Sequence, residues 1–308
     1  MSNQIMCKRL CVSQKMDYGL MRGPIDCSFF STAENFFIEI HQLGIREIAI
    51  YSLEEKDPHN LWLAFKCVTE FLMLFDGWFL PISTMEFSES ESSSKEELAH
   101  CADYYKSHIL SGYTTTLNFR GRRNSIADFK CFDIASLYDR WYDLRNELDI
   151  VHIMFFCLCS DTGLPVDIVC ANIIQCFEPL SELIEQKVPT FKVARFVNKD
   201  GKEREPTLKS CLDAVITNYG QDIFKDELSH DKNEFLSQLV NTRVRIMHIR
   251  NNMRGKKCLN GDDPTKYEIK LQWLYRRVIL DLIGAKYNVY KSQLEELVER
   301  IDCGLKWY

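Results

Sequence analysis

The sequence predicts a mainly α-helical protein in which a smaller mixed α+β N-terminal region precedes a longer helical one. Three observations carry that fold class. Hydrophobic residues make up 46% and charged residues 27% of the 308 positions, an ordinary globular balance with ample material for a core. Up to about residue 130, strand-like and helix-like patterns alternate over short distances, whereas beyond it apolar residues recur at helical spacing through long segments. Between those segments lie breakers suited to helix ends, with proline near a start and glycine after a last turn. The chain exceeds the roughly 100 to 200 residues of a usual single domain, so two regions are expected, 1–130 and 131–308.

In the first region, "IREIAIYSL" (45–53) alternates and is rich in isoleucine, which predicts a strand. "NLWLAFKCVTEFLMLF" (60–75) has helical spacing and length, and "SESESSSKEE" (88–97) reads as a polar loop leading into a helix from Lys95. "YTTTLNFRG" (113–121) again predicts a strand. In the second region Asp133 is placed as an N-cap, Pro165 lies in the first turn of "LPVDIVCANIIQCFEPLSELIEQ", and "EPTLKSCLDAVITNYG" runs from Pro206 to Gly220. "KDGKE" (199–203) is a turn. Leu236, Val240, Arg243 and Met247 share one helix face, which puts Arg243 in line with an apolar stripe. A matching stripe of Tyr267, Leu271, Leu274, Val278 and Leu282 ends near Gly284, and the two faces are expected to pack together before a last helix in "YKSQLEELVERID".

Several function classes are excluded. The longest apolar stretch, 150–159, is interrupted by His152 and is shorter than the roughly 20 residues that span a bilayer. No apolar block follows a positive start in the first residues, so a secretory signal is not expected and the location expected is the cytoplasm. The 13 cysteines are scattered and fit free, mostly buried thiols in a reducing compartment. No C-x-x-C pair anchors a zinc site among Cys7, Cys11, Cys101, His100 and His108, and no metal or cofactor is expected. His41, His59, His100 and His108 lack partners at useful spacing, and glycine-rich phosphate loops, H-E-x-x-H and G-x-S-x-G are absent.

One stretch stands apart. Across 241–261 there are six basic residues, Arg243, Arg245, Arg250, Arg254, Lys256 and Lys257, and no acidic one, so a chain of net charge −6 carries −12 elsewhere. Such a patch points to a polyanion such as RNA; the competing reading is a solvated helix end, where cations also suit the helix dipole. Arg243 and His248 form an R-x4-H pair. Cleaving RNA without metal requires a base for the 2′-hydroxyl proton and positive charge on the transition-state phosphate, which histidine and arginine supply. Five helical residues turn by about 140°, so both groups would meet one phosphate in a groove against a second helix or subunit. Counting gaps of four to six residues, chance alone supplies roughly one arginine-to-histidine match in this composition. A second, Arg145 to His152, reads as a surface arginine followed by a histidine in a core run.

Four segments are more specific: "NIIQCFEPL" (172–180), "LKSCLDAVITNYGQDIF" (208–224), "FLSQLVNTRVRIMH" (235–248) and "LQWLYRRVILDLIG" (271–284). Through them the chain from about residue 131 onward resembles the ApeA-like HEPN domains, helical ribonucleases common in bacterial anti-phage systems. "FLMLFDGWFLPISTMEF" (71–87) resembles the family's N-terminal region only loosely. The resemblance implies a HEPN helical bundle acting as a metal-independent endoribonuclease on cellular or phage RNA. Arg243 and His248 would be its catalytic pair, and Gln175 and Glu178 would lie on the supporting helix. It further implies a homodimer whose two motifs face each other across a basic groove, with Arg245, Arg250, Arg254, Lys256 and Lys257 as RNA contacts. A phage-derived trigger would act through the N-terminal region. One departure matters: the family usually has a polar residue, most often asparagine, directly after the arginine, and here it is Val244. That opens the alternative of a weakened or inactive module that binds RNA or a protein partner.

Overall fold

The computed structural model describes residues 5–15, 25–77, 79–108, 125–159, 163–198, 200–249, 253 and 255–304. They fall into two compact units, the first holding the residues up to Glu147 together with Cys159 and the second Leu148–Leu158 and the residues from Gly163 onward. The expected strand at 113–121 lies outside the described residues.

The first unit is an antiparallel sheet with helices. Its strands are β1 (Cys7–Lys15), β2 (Ile25–Ser31), β3 (Phe36–Gln42), β4 (Ile45–Lys56) and β5 (Ile82–Ser88), in the order β2-β3-β4-β1-β5. Alternation sends Leu10, Val12, Ile38, Ile40, Ile48 and Ile50 to one buried face. Against β1 and β4 packs helix α1 (Pro58–Asp76), with Leu61, Phe65, Val68, Phe71 and Leu72 buried. Its ends follow from sequence. The Asp57 carboxylate accepts the His59 amide at 2.8 Å, Pro58 opens the first turn, and Gly77 closes the last with φ 86. Helix α2 (Lys95–His108) begins at a capping box, in which Ser94 Oγ accepts the Glu97 amide at 3.3 Å and Glu97 accepts the Ser94 amide at 2.8 Å.

Strand β1, "CKRLCVSQK", which is paired on both sides, gives no strand signal because polar side chains outnumber apolar ones along it. Gln14 is nonetheless buried, its amide donating to the Leu80 carbonyl at 3.0 Å. Buried Arg46 donates to Gln42 Oε1 at 2.9 and 2.8 Å and to Asp76 at 2.6 Å, tying the sheet to the end of α1. Helix α3 (Ile134–Cys159) contributes its first half to this unit, its start capped by Asp133, which accepts the Ser136 amide at 3.3 Å. Ser31 at the end of β2 donates to Asp139 at 3.1 Å, and Glu34 in the turn after it accepts from the Tyr138 hydroxyl. Burial pushes the Glu34 carboxyl up to about 7, against the opposing pull of the Tyr138 hydroxyl and Arg145.

In the second unit, α4 (Val166–Lys187) is the helix against which α5 (Leu208–Tyr219), α6 (Lys225–Met247) and α7 (Asp263–Leu282) pack. It buries Ile173, Ile174, Phe177, Leu180 and Ile184, each contributing roughly 1.5–3 kcal/mol by leaving water. The second half of α3 brings Phe155, whose ring stacks 3.7 Å from Tyr275. Thr207 caps α5 by accepting the Ser210 amide at 3.2 Å. The described part of "KDGKE", residues 200–203, turns as expected, with Asn198 Oδ1 accepting the Asp200 and Lys202 amides and Gly201 at φ 76. A last helix, α8 (Lys291–Asp302), joins α7 through Lys270, which is fully buried and ion-paired to Asp302 at 2.8 Å and Glu227 at 2.9 Å.

Three expectations need correction. The buried face of α6 is Phe235, Leu236, Leu239 and Thr242, whereas Val240 and Arg243 are half-buried and Met247 is 43% exposed. The helix is rolled because Phe235 inserts between Phe224 and Tyr267, with ring centroids at 5.3 and 5.2 Å, and because Thr242 turns inward. Arg243 therefore edges the core instead of lying in an apolar stripe. Nor do α6 and α7 chiefly face each other; both pack on α4. The cysteines are all free, but only Cys7, Cys67, Cys170, Cys176 and Cys211 are buried.

Helix α6 is also two helices in series. Asp231 leaves helical geometry at φ −154, ψ 93, and its carboxylate accepts the Glu234 amide at 2.9 Å, so it caps the segment that carries Arg243. Past that segment the chain returns alongside: Leu259 donates its amide to buried Thr242 Oγ1 at 2.8 Å, and Asn241 donates to the Lys257 carbonyl at 3.0 Å.

Thr242→Val keeps the shape but leaves the buried Leu259 amide without an acceptor. It is expected to lower stability by about 1–3 kcal/mol in denaturant titration; a change within error refutes the clamp. For Glu34, the folded chain holds its proton more tightly than the unfolded one from about 4.5 up to about 7, so its contribution to stability is lost as pH rises through that window. Glu34→Gln should flatten the fall of the unfolding midpoint with pH there, and an unchanged slope would count against it.

Candidate functional site

Arg243 lies near the end of α6, in the last two turns before Met247. With Thr242 turned inward to its clamp, the next residue emerges at the rim of the core facing α4. There Arg243 Nε donates to Gln175 Oε1 at 2.6 Å. Gln175 in turn donates its amide NH₂ to Glu178 Oε2 at 2.6 Å. The two α4 residues are three apart, one turn along the same face. This order matters chemically. The Glu178 carboxylate takes the NH₂ end of the amide, which leaves only the carbonyl end to meet the guanidinium.

Arg243 is thus held by a neutral acceptor, and its positive charge is not cancelled by direct contact with a carboxylate. Among the described residues no acceptor meets Nη1 or Nη2. A guanidinium fixed through Nε and free at both terminal nitrogens presents a planar pair of donors matched to phosphate oxygens. The structure therefore brings together Arg243, Gln175 and Glu178.

His248 is placed differently. Helix α6 ends at Met247, and His248 is its C-cap, with φ −104, ψ 9 and its amide donating to the Val244 carbonyl at 3.2 Å. Ile249 follows at φ 49, a left-handed conformation that turns the chain away. The His248 side chain is exposed, and among the described residues no hydrogen bond joins it to Arg243 or to any other group. The ideal-helix angle between the two residues thus applies only up to Met247; the imidazole's direction is set by the cap. Val244 is half-buried and has no side-chain atom able to hydrogen-bond.

The basic stretch is less uniform than its composition. Arg245 is half-buried and Lys256 exposed, and among the described residues neither has a carboxylate partner. Lys257 is ion-paired with Glu234 at 2.5 Å, so part of the positive charge is neutralised by a residue outside the 241–261 window. Arg250 and Arg254 lie outside the described residues. Thr242, Asn241 and Glu234 were missed by sequence reasoning. The only signal for them was the polar Asn-Thr pair just before Arg243 on a helix that needs one dry face.

The second match, Arg145 to His152, forms no site. Arg145 donates to Glu70 at 2.5 Å in the first unit, while His152 is buried in the second with its Nδ1 3.4 Å from the Tyr275 hydroxyl. Among the described residues no group of three or more His, Cys, Asp or Glu side chains is gathered as a metal would require, and no helix is long and apolar enough to cross a membrane.

Comparison with known proteins gives no match among curated proteins or solved structures. A family model described as Apea-like HEPN does match, over residues 172–289. The matched span begins at α4 just before Gln175 and runs through α5, α6 and α7, so it contains the helix that holds Arg243 as well as the one that bears it. Residues 172–289, within the second unit, are thus similar to the Apea-like HEPN domain.

Proposed function

We propose that the C-terminal unit is a HEPN-type, metal-independent endoribonuclease acting on cellular or phage RNA in anti-phage defence. The observation that carries this reading is the anchoring of Arg243. Gln175 fixes its Nε and leaves Nη1 and Nη2 for phosphate. In the reaction, His248 takes the proton from the 2′-hydroxyl, and that oxygen attacks the adjacent phosphorus. Arg243 stabilises the charge that gathers on the non-bridging oxygens, and a protonated imidazole returns a proton to the leaving 5′-oxygen. The single His248 of each chain supplies one of the two proton transfers at a time, and the homodimer implied by the family brings a second. Arg245 and Lys256 add phosphate contacts along the same end of α6. A phage-derived trigger acting through the N-terminal region completes the proposal.

A second reading rests on Val244. An aliphatic residue next to Arg243 removes a hydrogen-bonding group that the family usually has there, and a module of this kind binds RNA or a protein partner without cutting.

Purified protein incubated with tRNA and mRNA in EDTA separates the two. The nuclease predicts cleavage that falls at least about a hundredfold in His248→Ala and in Arg243→Ala; equal cleavage by His248→Ala sinks it, and salt-sensitive binding without cleavage supports the second reading. Gln175→Glu offers a sharper check on the anchor. It keeps the acceptor but sets a negative charge against the guanidinium, so RNA affinity should drop and its dependence on salt should become shallower by about one phosphate contact. Unaltered affinity would place the phosphate elsewhere.

A further inference from the structure

The sheet face turned away from α1 carries an aromatic row that the fold of the first unit does not use. Strand register sets Phe30 on β2 opposite Phe37 on β3, Phe37 opposite Tyr51 on β4, and Tyr51 opposite Arg9 on β1. One line across four strands thus holds three rings and a guanidinium. The Phe37 and Tyr51 centroids are 6.1 Å apart, and the Arg9 guanidinium carbon is 5.0 Å from the Tyr51 centroid. Phe30 and Phe37 are 44% and 37% exposed, and Leu53, two residues beyond Tyr51, is 85% exposed. An antiparallel sheet covered on one side normally shows polar residues on the other. Contiguous exposed aromatic surface is where proteins meet partners.

The neighbouring rows say what that partner is. The next register line carries Glu39 and Glu86, and the one after it Asp26 and Glu47. Against these four carboxylates stand Arg9, which is 3.8 Å from Glu89, Lys15 at the far end of β1, and His41, whose ring nitrogen lies 3.0 Å from Asp26. Tyr51 donates its hydroxyl to Glu39 at 2.8 Å, so one ring of the row ends on a carboxylate. Rings beside carboxylates suit long cationic side chains, whose stems lie on the aromatic surface while their heads find the negative charge. A nucleic-acid strand also stacks on exposed rings, but it would bring its phosphates against that acidic rim.

We propose that this open sheet face docks a protein segment in which lysine or arginine alternates with apolar side chains. Phe30, Phe37 and Tyr51 are the anchors, and Glu39 and Glu47 are the charge partners. The inference is independent of RNA cleavage by the other unit.

The test titrates full-length protein into a fluorescein-labelled peptide alternating lysine with tryptophan and leucine, with an oligouridylate of the same length as a second probe. Anisotropy should show the peptide binding wild type at least tenfold more tightly than Phe37→Ser, with a smaller loss in Glu39→Gln, while oligouridylate binding does not depend on Phe37. Melting temperatures are taken alongside, and Phe30→Ser replaces Phe37→Ser if the latter melts early. Equal peptide binding by wild type and both ring variants overturns the proposal, since charge alone would then explain the contact. A Phe37-dependent affinity for oligouridylate above that for the peptide also overturns it, in favour of a nucleic-acid surface.

Discussion

A helix with almost no wet face must be wrapped by others, and α4 imposes that constraint on the C-terminal unit. Eleven of its residues are buried, far more than the single stripe of a surface helix. Helices α5, α6 and α7 each pack on it, so the geometry of the unit follows from covering α4. The polar exceptions on α4 then become informative. Gln175 and Glu178 are half-buried among those apolar residues and need partners. They satisfy each other and, through the remaining amide oxygen, fix the guanidinium of Arg243.

The Arg243 segment is held from three sides by interactions of different kinds. Asp231 caps its start, Thr242 clamps the returning chain at Leu259, and Phe235 locks its rotation between two rings. The C-terminal end of the segment is left less constrained. His248 sits on a cap followed by a left-handed residue, with its side chain in solvent. Under the proposed function, a rigid charge and an exposed imidazole would divide the labour of phosphate chemistry: charge stabilisation gains from preorganisation, whereas proton transfer needs access to the nucleophile.

The N-terminal unit solves a different problem. Its sheet buries one face against α1 with isoleucine, leucine and valine at alternate positions. Arg46, bridging Gln42 and Asp76, ties that face to the helix end with a charge that is buried yet paired. The opposite face keeps three aligned rings in a field of carboxylates, which costs solubility and adds nothing to the core of its own unit.

Much was legible in the sequence. The helices within Pro58–Asp76, Lys95–His108, Val166–Lys187, Leu208–Tyr219 and Asp263–Leu282 announce themselves by period, because it depends on residues a few positions apart. The residue types at Arg243 and His248, and the family they resemble, are equally local. Strand β1 was not legible, since a strand paired on both sides is defined by partners at Ile45–Lys56 and Ile82–Ser88 that are distant in sequence. The same reason hid the pairing of Glu234 with Lys257 and the true inward face of α6. The sequence by itself determined which residues are available for chemistry; the tertiary structure alone decided that Gln175 holds Arg243 by a neutral contact, that Lys257 is partly spent, and that Phe30, Phe37 and Tyr51 fall on one line. Those facts depend on which helices and strands become neighbours, and that is set by the burial of whole faces rather than by any local pattern.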